Sequence, residues 1–67
     1  MNINEKLKKI RLKHNMTKSE FAEIMGVSVR SIQRWEQGKA IIRESNLIKI
    51  GSYFEIPIEY FEEDNDE

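Results

Sequence analysis

The stretch that most constrains this chain runs from Thr17 to Gly38, TKSEFAEIMGVSVRSIQRWEQG. Thr17, followed three residues later by Glu20, is a capping-box pattern. In such a box the hydroxyl accepts from a first-turn amide and the carboxylate reaches back to the cap's own N–H. Phe21, Ala22, Ile24 and Met25 then recur at helical spacing and form one apolar face. Gly26 stands where a helix end needs positive φ, a conformation glycine takes without steric cost. Val27 plugs the turn, and Ser28 has the side chain of an N-cap for a second helix. In the body of that helix only Ile32 and Trp35 are strongly apolar; three apart, they share a face. Gly38 ends it. The spacing predicts two short helices across a tight turn, the second held by a narrow stripe and turning most of its surface outward.

Sixty-seven residues make one domain, near the lower limit for a self-sufficient core. The absence of cysteine excludes disulfides and thiolate ligands, and a single histidine leaves no set for a structural zinc. No cofactor or metal is therefore expected. No apolar run approaches the ~20 residues of a membrane span. The N-terminal MNINEKLKKIRLKHN alternates charge with apolar residues, unlike a secretory leader, so the chain is expected to be cytoplasmic and away from membranes.

The net charge of −1 conceals an asymmetry. All eleven lysines and arginines fall in residues 1–49 against five acids, leaving +6, while residues 50–67 hold seven acids and no base, leaving −7. Where positive charge lies, rather than a pI near 5.8, decides attraction to a polyanion. Lys6, Lys8, Lys9, Arg11 and Lys13 read as a solvated helix face that can add phosphate contact or long-range attraction.

Read in order, the chain gives five helices and no strand, an all-α class. Helix 1 runs from about Asn4, as N-cap, to about His14, with Leu7, Ile10 and either Leu12 or Ile3 inward; Asn15 is its left-handed cap. After a connection over 39–42, helix 4 begins at Glu44 or Ser45 and turns Leu47, Ile48, Ile50 and Phe54 to the core. Ile41 and Ile42 either pack on that core or face a partner. Gly51 costs ~1 kcal/mol against alanine inside a helix, which predicts close approach of another helix. Pro57 suits an N1 position and opens a short fifth helix anchored by Ile58 and Phe61, with Ile56 as a staple. Residues 62–67, EEDNDE, read as a frayed acidic tail, able to fold back over the basic surface.

The run FAEIMGVSVRSIQRWEQGK, flanked by LKKIRLKHNMTKSE and NLIKIGSYFEIPIEYF, resembles the phage repressor/Cro (Xre-like) helix-turn-helix family over about residues 4–61. Members commonly read near LAEKLGVSRSTISRWENGK. The Trp35, Glu36, Gln37, Gly38, Lys39 ending and a glycine nine residues after the capping Thr17 are its specific marks. The resemblance implies a compact five-helix, lambda-repressor-like domain over 1–61, in which helices 2 and 3 form the helix-turn-helix. It implies a sequence-specific transcriptional regulator, foremost a repressor, that binds operator DNA as a homodimer. It assigns base reading to Val29, Arg30, Gln33 and Arg34, phosphate contact to Lys18, Ser28, Lys39 and Arg43, and further contact to Ser31 and Gln37. Tyr53, Tyr60 and Phe61 are candidates for the dimer surface, although Phe54 and Phe61 favour the core. The chain departs from the family with Ile42 and Arg43 in place of Pro-Ser or Pro-Thr, Glu44 for leucine and Gly51 for alanine. Those changes touch the connection between helices 3 and 4 and the dimer geometry.

At 100° per residue with Ile32 and Trp35 inward, the opposite face carries Arg30, Gln33, Arg34 and Gln37. Arginine can bond guanine O6 and N7, glutamine adenine N6 and N7, and Val29 in the first turn can meet a thymine methyl. Catalysis finds no support. His14 ends a helix, where it caps carbonyls, Glu20 and Glu23 serve capping and a solvent face, and the three glycines are too scattered for a phosphate loop. The alternative is a protein-interaction module, either an antitoxin-like subunit or the N-terminal part of a larger regulator.

Overall fold

A computed structural model describes residues 2–62, which form five α-helices and no strand. They are α1 (Ile3–Lys13), α2 (Lys18–Met25), α3 (Val29–Gln37), α4 (Glu44–Phe54) and α5 (Glu59–Glu62). The acidic tail expected over 62–67 lies, after Glu62, outside the described residues. No described helix is long and apolar enough to cross a membrane.

The N-cap of α1 is Asn2, not Asn4: its side-chain oxygen accepts from the Glu5 N–H at 3.0 Å. Starting two residues earlier brings Ile3 onto the core, while Leu12 stays 54% exposed. Asn15 takes the expected left-handed conformation at φ 57°. On α2 both halves of the capping box form, Thr17 N–H to Glu20 Oε1 at 2.8 Å and Glu20 N–H to Thr17 Oγ1 at 3.1 Å. Gly26, at φ 71°, lets the Val27 N–H turn back to the Ala22 carbonyl, which closes the helix. Ser28 caps α3 through the Ser31 N–H, and Gly38 ends it at φ 75°.

Leu7, Ile10, Phe21, Ala22, Met25, Ile32, Trp35, Ile42, Leu47, Ile50 and Phe61 form one buried cluster. α3 packs on α1 and α2, and α2 packs on α4. Ile42 is drawn into the core, one of the two fates expected for this pair, while Ile41 is 93% exposed. Phe61 is buried and unavailable to a partner; Phe54 is half-buried, its ring 4.5 Å from His14 and 6.1 Å from Phe21.

Three further expectations need correction. Ile48 is 56% exposed rather than packed: Leu47, Ile50 and Gly51 at i, i+3 and i+4 define the buried stripe of α4, and Ile48 sits a 100° step away. Gly51 admits the backbone of the following loop, not another helix, since a Cβ there would collide with the Ile56 carbonyl oxygen. Pro57 precedes α5 by a turn instead of opening it at N1. Its carbonyl accepts from the Tyr60 N–H at 3.0 Å, and the helix begins at Glu59.

The five basic residues of α1 also separate. Lys8, Lys9 and Lys13 are exposed as expected, but Lys6 is 1% and Arg11 7% exposed. Burying a charge is costly unless partners compensate it, and each of these two has them. The Lys6 ammonium donates to the Tyr60 carbonyl and lies 4.8 Å from the centre of its ring, tying α1 to α5. Arg11 donates to Glu36 of α3 and to the Met16 carbonyl.

Candidate nucleic-acid interface

α3 has two buried anchors, Ile32 and Trp35, and a third attachment through the Glu36 carboxylate, which receives the Arg11 guanidinium. These occupy one side of the cylinder. On the far side Arg30, Gln33 and Gln37 are exposed, as the helical projection requires. Val29 is 38% exposed at the leading turn, beside the Ser28 cap. An extended polar face with hydrogen-bonding side chains therefore stands on a helix whose rotation is set from behind.

Arg34 and Ser31 are half-buried at the margins of that face. The Arg34 guanidinium donates to the Lys39 carbonyl at 3.2 Å, so it straps the turn that follows α3. The Ser31 and Ser28 hydroxyls lie 3.1 Å apart, which directs Ser31 toward the cap. Of the four residues assigned to base reading, Arg30 and Gln33 thus stand clear, Val29 is at the leading edge, and Arg34 is drawn to one side.

The phosphate candidates surround this face along the chain. Lys18 is half-buried in the first turn of α2, and Ser28 is exposed at the start of α3. Both occupy helix N-termini, where backbone N–H groups favour an anion. Lys39 and Arg43 are exposed on either side of the connection between α3 and α4. Arg43 is also the N-cap of α4, and its side chain makes no capping bond.

Several residues that hold the face in place carried no local signal. Arg11 and Glu36 are 25 residues apart, beyond any helical or turn period. Lys49 donates to the Met25 carbonyl at 3.0 Å and fastens α4 to the end of α2, just before the turn into α3. His14 behaves as its position predicts, with Nδ1 2.9 Å from the Ile10 carbonyl oxygen. Among the described residues no cluster of His, Cys, Asp or Glu is arranged to hold a metal.

A family model described as helix-turn-helix matches residues 7–61. The chain is 36% identical over 59 residues to the HTH-type transcriptional activator BcrR of Enterococcus faecalis, covering 88% of this chain and 29% of that protein. It is 34% identical over 59 residues to the cryptic phage CTXphi transcriptional repressor RstR of Vibrio cholerae, covering 88% and 53%. A candidate HTH-type transcriptional regulatory protein of Pyrococcus furiosus is 33% identical over 54 residues, 81% of this chain and 17% of that protein. The chain thus spans about half the length, or less, of these relatives.

Proposed function

Because this chain belongs to the helix-turn-helix family, we propose that residues 1–61 are the sequence-specific double-stranded DNA-binding module of a transcriptional regulator, with α3 as the recognition helix. One observation carries the reading. α3 is clamped from behind by Ile32, Trp35 and the Arg11–Glu36 pair, while Arg30, Gln33 and Gln37 stand exposed on its other side.

The recognition helix enters the major groove by its N-terminal end. Arg30 and Gln33 present side chains matched to guanine and adenine edges, Val29 meets a thymine methyl, and Arg34 reaches a base from the margin of the face. Lys18, Ser28, Lys39 and Arg43 bond phosphate oxygens and set the register without reading sequence, and Ser31 and Gln37 add contacts at its edges. A homodimer places two such helices about 34 Å apart on one side of the duplex. Tyr53, 59% exposed on α4, and half-buried Tyr60 are available to the second copy.

Repression is the direction this module imposes unaided, since occupying an operator that overlaps a promoter excludes polymerase. The similar proteins include an activator and a repressor by name, so the sign of regulation depends on what the operator overlaps.

Selection from a random duplex pool at about 150 mM salt, where exposed charges are screened beyond ~8 Å, tests the proposal. A pseudo-palindrome with half-sites one helical turn apart is expected. Folded protein that enriches nothing would overturn the reading in favour of a protein-interaction module, for which exposed Ile41, Ile48 and Tyr53 offer apolar surface.

A further inference from the structure

The exposed lysines of α1 are alike in sequence but occupy different sides of the helix. Lys9 and Lys13 line an open hollow of about 650 Å³ against the α4–α5 connection, together with Phe54, Glu55 and Tyr60. Lys8 does not line it. Its direction follows from two features that fix the rotation of α1 against α3. Arg11 Nε lies 2.7 Å from Glu36 Oε2. The Asn4 amide sits beside Gly38, where a Cβ on the glycine would be 3.3 Å from Asn4 Nδ2.

Asn4 and Arg11 are seven residues apart, hence about 20° apart around the helix, and mark the line along which α1 faces α3. Measured from Arg11, Leu7 and Ile10 lie about 40° and 100° to the core side, and Lys8 lies about 60° to the other. The same projection from Glu36 on α3 puts Ile32 and Trp35 about 40° and 100° to the core side, and Gln33 about 60° to the other. α1 and α3 run antiparallel, because Asn4, before Arg11, meets Gly38, after Glu36. Lys8 therefore emerges on the solvent side of the seam toward Gln37, while Gln33 lies the other way along it.

We propose that Lys8 is a further phosphate contact: an ammonium carried by α1 at the lip of the reading face, gripping the backbone of the strand that passes Gln37 at the C-terminal end of α3. This assignment rests on the DNA-binding reading. It predicts a purely electrostatic role, because a phosphate contact neutralises charge and carries no sequence information. Lys9 and Lys13, equally charged and also exposed but on the α5 side, should lack that role.

The test measures affinity of the full chain, and of Lys8→Gln, Lys9→Gln and Lys13→Gln, against salt on a labelled duplex of the most enriched sequence. Single-base-pair variants of that duplex are measured alongside. Losing one neutralised phosphate should lower the slope of log K on log salt by about 0.9. Between about 50 and 200 mM salt, the affinity of Lys8→Gln should then fall ~3.5-fold less than that of the wild type. Its base preferences should stay unchanged, and Lys9→Gln and Lys13→Gln should keep the wild-type slope. Wild-type binding with Lys8→Gln indistinguishable from Lys9→Gln would overturn this assignment alone. A wild type that binds no duplex would overturn the DNA-binding reading, and the assignment with it.

Discussion

The Arg11 guanidinium grips the Glu36 carboxylate through two bonds, Nε to Oε2 at 2.7 Å and Nη2 to Oε1 at 3.1 Å, with side chains only 9% and 4% exposed. The forked geometry fixes orientation as well as distance. A third bond, from Nη1 to the Met16 carbonyl at 3.0 Å, extends the same side chain to the corner between α1 and α2. One buried residue thus joins α1 to α3 and to the corner that leads into α2, and the exposed polar face of α3 depends on the rotation it enforces.

Breaking this pair should cost far more than replacing it. Glu36→Ala leaves a buried guanidinium without its counter-ion, and about 3–5 kcal/mol of stability should be lost, a large share of the 5–15 kcal/mol typical of a domain. An apolar replacement of both partners, Arg11→Met with Glu36→Leu, should recover most of that. Urea denaturation followed by circular dichroism measures both. A Glu36→Ala loss below about 1 kcal/mol would show that solvent reaches the pair.

Base reading and phosphate gripping should separate by mutation. Arg30→Ala is expected to cost about 1–3 kcal/mol of binding and to relax preference at one base pair. Lys39→Ala should weaken all duplexes uniformly and lower the salt slope by about 1. Titration of a panel of single-base-pair variants distinguishes the two. A uniform loss with Arg30→Ala would remove it from the reading residues.

Thr17→Ala should destabilise the domain by about 1 kcal/mol, the usual worth of an N-cap, because the Glu20 N–H loses its acceptor. A shift of the urea midpoint with an unchanged m-value reports it. No shift would mean that water satisfies that amide equally well.

Two neighbouring positions should respond with opposite signs. Gly51→Ala places a methyl group against the Ile56 carbonyl oxygen and should destabilise. Glu55, the residue closing α4, has φ 59°, a left-handed conformation that costs a residue with a Cβ roughly 1–2 kcal/mol. Glu55→Gly should therefore raise stability by up to about 1 kcal/mol. Thermal unfolding of both variants tests this, and a stabilising Gly51→Ala would contradict the close approach.

Much of the candidate site was legible because its determinants are local. The Thr17–Glu20 box, the Ser28 cap, the left-handed Gly26 and Gly38 and the Ile32–Trp35 stripe each act within a few residues. Together they specify α2, the turn and α3, and leave Arg30, Gln33 and Gln37 outward. Arg34 was legible only in part, since its bond to the Lys39 carbonyl comes from the path of the chain after the helix.

The sequence by itself determined the five helices in order, the caps of α2 and α3 and the polar face of α3, because capping and periodicity are short-range effects written in adjacent residues. Tertiary structure alone decided that Lys6 and Arg11 are buried while Lys8 is not, that Ile42 enters the core while Ile41 leaves it, and that Gly51 meets the Ile56 backbone. Each of those outcomes depends on a partner brought close by folding: Tyr60 and Glu36 for the two buried cations, the assembled core for Ile42. A lysine or arginine looks the same along the chain whether it ends in water or on a carboxylate 25 residues away. Only the packing of α1 against α3 and α5 supplies the difference in desolvation and pairing that separates the two.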